Sequence, residues 1–189
     1  MSVIRFDSIG QNSVDRVSKL LAGVQGGAYK ATSNALRRAG ESAKTQAGRF
    51  AATEYTITKG DFMHNVTIKT QVSGSGGVAS MSIGFAGYVL PLLSFDTSFS
   101  RDGRIRTKVK RNGGAASLQH AFAAKVFGPI GIFERVGAGR FPVEQKYGPS
   151  TGHMMQNEDV IQKMEDTIHK TYEARIEHEI TRILNGWGV

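Results

Sequence analysis

The sequence predicts an α+β protein, with N-terminal helices and a long C-terminal helix packed on a mainly antiparallel β-sheet. Three observations carry that expectation. Apolar residues recur at three- and four-residue spacing from about residue 12 to residue 50, and again from 157 to 185. Between these stretches, short runs alternate apolar and polar residues and are broken by glycine. Helix-period and strand-period patterns in that order lay helices against a sheet. The 189 residues are expected to form one domain, helical over 1–55, β-rich over 60–150 with a basic loop, and helical again over 156–185.

The first helix is expected in "NSVDRVSKLLAGV", where Asn12 or Ser13 can cap it. Val14, Val17 and Leu21, with Leu20 and Val24, form its apolar stripe. Gly26-Gly27 interrupts the pattern, and a long Ala-rich helix follows over 28–50. Ala28, Tyr29, Ala35, Leu36, Ala39, Ala43, Ala47 and Phe50 line one face, while Lys30, Arg37, Arg38, Lys44 and Arg49 line the other. Gly40 and Gly48 weaken the case for an unbroken rod, since glycine disfavours helix interiors.

The β region opens with "FMHNVTIKTQV", in which Phe62, His64, Val66, Ile68, Thr70 and Val72 share a face if the run is extended. "SGSGG" turns the chain into "VASMSIGFA", whose inward residues are Ala79, Met81, Ile83 and Phe85. "GYVLPLLSF" reads as a further strand with an edge or bend at Pro91. In "RDGRIRTKVKR", Ile105, Thr107 and Val109 alternate with Arg104, Arg106, Lys108 and Lys110. Residues 115–127 read equally as a short helix or a strand. "IGIFERV" is a strand, Gly137-Ala138-Gly139 a three-residue turn, and "RFPVEQKY" an edge strand, because Pro142 has no N–H for a ladder. The last helix starts at Asn157, with Glu158 and Asp159 in its first turn. Ile161, Met164, Ile168, Tyr172, Ile176, Ile180 and Ile183 form its stripe, and Asn185-Gly186 stops it.

Composition narrows the function. The chain has no cysteine, which removes disulfides and thiolate metal sites and fits a cytosolic birthplace. The opening residues lack a charged leader followed by an apolar core, so no signal peptide is expected. The longest apolar run, "YVLPLL", is too short to span a bilayer. Charge is uneven. Residues 1–60 hold nine Lys/Arg against four Asp/Glu, 61–150 hold eleven against five, and 151–189 hold four against seven. A basic body and an acidic C-terminal segment either present unlike faces to different partners or are simply solvated.

Catalytic motifs fail on inspection. "HEITR" places Arg182 where a zincin needs its second histidine, and a cation there repels a metal. His169, Glu173 and Glu177 lie one turn apart on a helix, a spacing that solvated charges commonly share. His120 and His153 have no Asp, Glu or His at ligand spacing, and His64 reads as a core or interface residue. The Gly-Ala-Gly run lacks the Lys-Ser/Thr of a P-loop and the third glycine of a dinucleotide turn, and no Gly-x-Ser-x-Gly elbow occurs. No catalytic residue, metal ligand or cofactor site is therefore expected, and the chain is not read as an enzyme.

The basic run stands out. Arg101, Arg104, Arg106, Lys108, Lys110 and Arg111 fall within eleven residues, opposed only by Asp102. Such a run suits a solvated loop, a dock for an acidic protein surface, or contact with nucleic-acid phosphates without base reading. It lacks interleaved aromatics, so base stacking is not indicated.

A resemblance covers most of the chain in element order and is sharpest over residues 121–184, on "IFERV" at 132–136, "RFPV" at 140–143, "GPS" at 148–150 and the terminal amphipathic helix. In these, and in the basic segment ahead of the hairpin, the chain resembles the minor tail protein Z family of tailed bacteriophages and prophages, a tail-completion type of protein. The resemblance implies a structural virion subunit, made in the host cytoplasm and placed at the head-proximal end of the tail. It implies copies of the chain in a ring around the DNA channel, meeting tail terminator, tail tube or neck proteins, with no membrane partner. It carries over no catalytic, metal or cofactor residues. On this reading Phe133, Arg135, Arg140, Phe141, Pro142 and Val143 form a subunit-contact hairpin, and the basic run meets a partner or DNA. The alternative is a free, non-specific nucleic-acid-binding protein that uses residues 101–111.

Overall fold

The structure is a computed structural model, and it describes residues 2–6, 11–75, 78–101, 103–126 and 128–187. In chain order the elements are β1 (Ser2–Phe6), α1 (Gln11–Leu20), α2 (Gly27–Glu54), α3 (Lys59–His64), β2 (Thr67–Ser75), β3 (Val78–Ala86) and β4 (Val89–Pro91). A 3₁₀ turn over Leu92–Ser94 leads into β5 (Asp96–Phe99), β6 (Ile105–Lys108), β7 (Ala116–Leu118), β8 (Ala121–Ala124) and β9 (Gly131–Arg135). Then come β10 (Val143–Gln145), β11 (Tyr147–Ser150), α4 (Thr151–Met154) and α5 (Glu158–Leu184). The class is α+β as expected, and the named strand pairings among the described residues are antiparallel.

The chain divides into two compact units built from separated segments. The first takes Met1–Ala47, Ile68–Phe85 and Ile161–Val189. Its sheet has the order β1-β3-β2, with Ile4 opposite Ile83. Strand β1 adds to the expected elements, since five residues carry too little alternation to mark a strand in the sequence. The side chains of Asn12, Ser13 and Val14, expected as cap and stripe, lie outside the described residues. Val17 and Leu21 are buried, but Leu20 is half-exposed.

Helix α2 passes through Gly40 and Gly48 without a break. A Cβ on Gly40 would lie 2.5 Å from Met81 Sδ and 3.4 Å from Thr70 Cγ2. The glycine therefore lets the helix backbone approach the sheet, and that contact outweighs its poor helix propensity of about 1 kcal/mol. Ala31, Ala35, Ala39, Ala43 and Ala47 are fully buried along the same helix. On α5, Met164, Ile168, Tyr172, Ile176, Ile180 and Ile183 are buried as the spacing predicts, each large apolar side chain worth about 1.5–3 kcal/mol against exposure. Ile161 is only half-buried, whereas Val160, one residue earlier and in the second unit, is buried. Gly186, at φ +72°, closes the helix: Gly186 N donates to Ile183 O at 3.0 Å and Trp187 N to Arg182 O at 2.9 Å. Glu179 is buried on this helix, where Asn34 Nδ2 donates to it at 3.1 Å and Arg182 lies at 3.6 Å.

The second unit takes Gly48–Thr67 and Ala86–Val160. Residues 62–64, expected at the head of a strand, are instead the end of helix α3. Thr58 caps that helix by accepting from Asp61 N at 3.1 Å, and its hydroxyl donates to Asp61 Oδ2 at 2.7 Å. Phe62 points into the core, and His64, expected in a core or interface, is exposed. The open alternative over 115–127 resolves as strands β7 and β8. Sheets β5-β6-β7 and β10-β9-β8 share a core of Leu92, Ile105, Ala121 and Ile132, against which Leu93, Val109 and Leu118 pack. Gly148 sits against Phe95, where a Cβ would come within 2.5 Å of the ring. Asn157 Oδ1 accepts from Asp159 N at 3.0 Å, capping α5 as expected.

Candidate interaction surfaces

The basic run divides into two parts with different surroundings. On β6, Ile105 and Thr107 are buried, so the intervening residues face outward. Arg106 is exposed there, with Ser98 and Ser117 as its cross-strand neighbours. Lys108 stands opposite Asp96. Arg104 and Lys110, just beyond the strand on either side, are exposed, and Arg101 is exposed in the turn between β5 and β6. Thr97 and Thr107 pair through their hydroxyls at 3.1 Å on the inner side, which fixes the register of the hairpin.

Arg111 does something else. Its Nε donates to Ala52 O at 2.7 Å and its backbone N to Glu54 O at 2.8 Å. These carbonyls belong to the last turn of α2, so the guanidinium caps the negative end of that helix. Tyr55 bridges to Lys110, and the Thr56 hydroxyl donates to Lys108 O, which continues the seam. Of the six basic residues expected to meet a partner or DNA, Arg111 is thus occupied within the unit. Nothing in the local sequence signals this, since its acceptor lies 59 residues away.

The second surface is the hairpin joining β9 to β10. Strand β10 pairs with β9 through Val143↔Arg135 and Gln145↔Phe133, and Val136 N donates to Pro142 O at 3.1 Å. The tip is therefore wider than the three-residue turn expected, and the chain leaves β10 after Gln145 to pair β11 with β4. The edge position of β10 is as expected: its sheet runs β10-β9-β8. The Phe141–Pro142 bond is cis.

The six hairpin residues separate by burial. Phe133 is 1% exposed and packs against Phe122 at 6.3 Å between ring centroids, so it is a core residue and not a contact residue. Adjacent Ile132 is buried as well, so both faces of β9 are covered at this point, a distinction that motif matching alone does not make. Val143 is half-buried. Phe141 is 69% exposed and Val136 66% exposed, and Pro142 is exposed beside them. Two cations frame the tip: Arg135 lies 5.0 Å from the Phe122 ring centre and Arg140 lies 5.9 Å from that of Phe141. A cleft of about 570 Å³, lined by His120, Phe122, Glu134, Arg135 and Ala138 among others, opens beside β8. Near the base, Lys146 pairs with Glu134 at 2.9 Å and Glu144 at 3.3 Å. Hydrogen bonds to Glu134 first, and to Glu144 next, hold the Lys146 ammonium above the usual lysine value.

Among the described residues there is no group of three or more His, Cys, Asp or Glu placed to hold a metal ion. No helix among them is long and apolar enough to cross a membrane. Two smaller clefts in the first unit, about 250 and 240 Å³, are lined by mixed charges around Glu179 and around the Arg16–Glu177 ion pair. Comparison with protein-family models, with curated proteins and with solved structures gives no match.

Proposed function

We propose that this chain is a structural virion subunit of the tail-completion type. It completes the head-proximal end of a phage tail and joins it to the neck, as a ring of copies around the DNA channel. The observation that carries the reading is the hairpin tip: Val136, Phe141 and Pro142 are apolar and exposed in the connection between the central strand β9 and the edge strand β10. The tip lies in the same segment, Ile132 to Ser150, that resembles the minor tail protein Z family. Large exposed apolar side chains mark interaction sites, and a free strand edge offers backbone pairing to a neighbour. The sheet ends in two unlike edges, β10 and β8, as a head-to-tail contact requires. Tail terminator, tail tube or neck proteins are the further partners.

Gold labelling of tail particles with an antibody to this chain tests the reading. Label confined to the head-proximal end is expected, and label on the shaft, on the distal tip or on no particle overturns it. The second reading, a free non-specific nucleic-acid-binding protein, draws on the outward cations of β6.

A further inference from the structure

We infer that the outer face of the β5–β6–β7 sheet binds the phosphate backbone of double-stranded DNA. The inference deepens the proposed function and rests on it, since that reading sets the chain beside a DNA channel.

Arg106 and Lys108 alternate with the inward residues Ile105 and Thr107 on β6, and the exposed Arg104 and Lys110 flank that strand, so four cations fall within one seven-residue segment. The six residue steps from Arg104 to Lys110 span about 20 Å when extended. Over that length duplex DNA carries roughly twelve phosphates, about six on each strand. The row therefore sets a cation about every 7 Å against a duplex surface that offers several phosphates within that reach. Arg101 extends the row at the turn, while Asp96 stands opposite Lys108 and offsets part of its charge.

The neighbours of the row favour DNA over an acidic protein surface. Arg106 is flanked across the strands by Ser98 and Ser117. Phosphate contacts use Arg and Lys together with small hydroxyls and need no apolar anchor. A protein interface of comparable strength needs a desolvated apolar or aromatic centre and is depleted in lysine at its core. Of the apolar residues of these strands, Ile105 turns the other way into the core cluster with Leu118 packed against it, and Phe99, paired with Ile105 on that side, is exposed. The face also lacks an aromatic platform, so it holds backbone and does not select bases.

Fluorescence anisotropy of the full chain with labelled duplexes of two unrelated sequences tests this. Neutralising about four phosphates gives a slope near −3.6 for log affinity against log salt, a loss of roughly 150-fold between about 50 and 200 mM. Equal affinity for both duplexes is expected. Arg106→Ala with Lys110→Ala should flatten the slope to about −1.8, with circular dichroism unchanged.

No binding at low salt, or an unchanged slope in the double variant, overturns the inference. So does a double variant that binds duplex normally but no longer joins tail proteins, because the face then belongs to an acidic protein. Particle mass is measured on the same samples to separate the two levels. A wild type that forms rings but binds no duplex overturns only the DNA contact. A wild type that binds duplex with the expected slope but forms no ring overturns only the assembly reading.

Discussion

Substituting Arg111 and Arg106 separately tests whether the basic run is divided between fold and function. Arg111→Ala removes a 2.7 Å hydrogen bond to Ala52 O and the positive charge at the C-terminal end of α2. An intramolecular hydrogen bond contributes about 0.5–1.5 kcal/mol net, and a cation at a helix C-terminus about 0.3–1 kcal/mol. The side chain is exposed, so the lower parts of both ranges apply, and the loss should be about 1 kcal/mol. For a chain of this length that lowers Tm by roughly 2–4 °C. Arg111→Lys keeps the charge without the planar fork and should fall between the two. Arg106→Ala removes an outward side chain on β6 and should change stability by less than about 0.5 kcal/mol. Thermal unfolding followed by circular dichroism at two salt concentrations reads all three. Equal Tm values for Arg111→Ala and the wild type, or a larger drop for Arg106→Ala, would refute the division.

Three further outcomes follow from the same structure. Thr70 Oγ1 is buried with no hydrogen-bond partner among the described residues, so Thr70→Val should raise stability by about 1 kcal/mol, read as a higher urea midpoint; a lower midpoint would mean the hydroxyl is satisfied. Burial pushes the phenol of Tyr172 up, and burial pushes Tyr55 up against an opposing hydrogen bond from Asn157, with the Glu54 carboxylate adding to the rise. Both groups have folded values above the unfolded 10.0, so their contribution to stability is complete below pH 10.0 and is lost as pH rises through the folded values. Tyr55→Phe and Tyr172→Phe should each remove a late step from the phenolate absorbance titration; an early step lost in either would contradict the assignment. Arg104→Glu with Lys108→Glu should lower the yield of infectious particles, and a normal yield would remove any important role for the row.

Much of this fold is legible because long amphipathic patterns are hard to satisfy in any other way. The stripe from Met164 to Ile183 and the alternation Ala79-Met81-Ile83-Phe85 both appear in the structure as read. The failures are local. At residues 59–64 the cap formed by Thr58 and Asp61 starts a helix, although Phe62 and His64 fit a strand's alternation equally well. At Gly40 intrinsic propensity misleads, because the missing side chain serves the contact with Met81. The candidate surfaces were half legible. Composition singled out the basic run, but Arg111 acts on a helix end far away in sequence, and only pairing showed which cations share a face. The hairpin was located by resemblance, yet the separation of core Phe133 from exposed Phe141 needed the register of β9 against β10.

The central claim is that this chain is built to assemble with copies of itself through the exposed hairpin. Mass photometry of the purified chain tests it most directly, with negative-stain images of the same sample. The account predicts closed particles at one fixed multiple of 20.4 kDa, reverting to single chains in Phe141→Asp. A wild type that stays a single chain at every concentration, or a Phe141→Asp variant that assembles like the wild type, would contradict it.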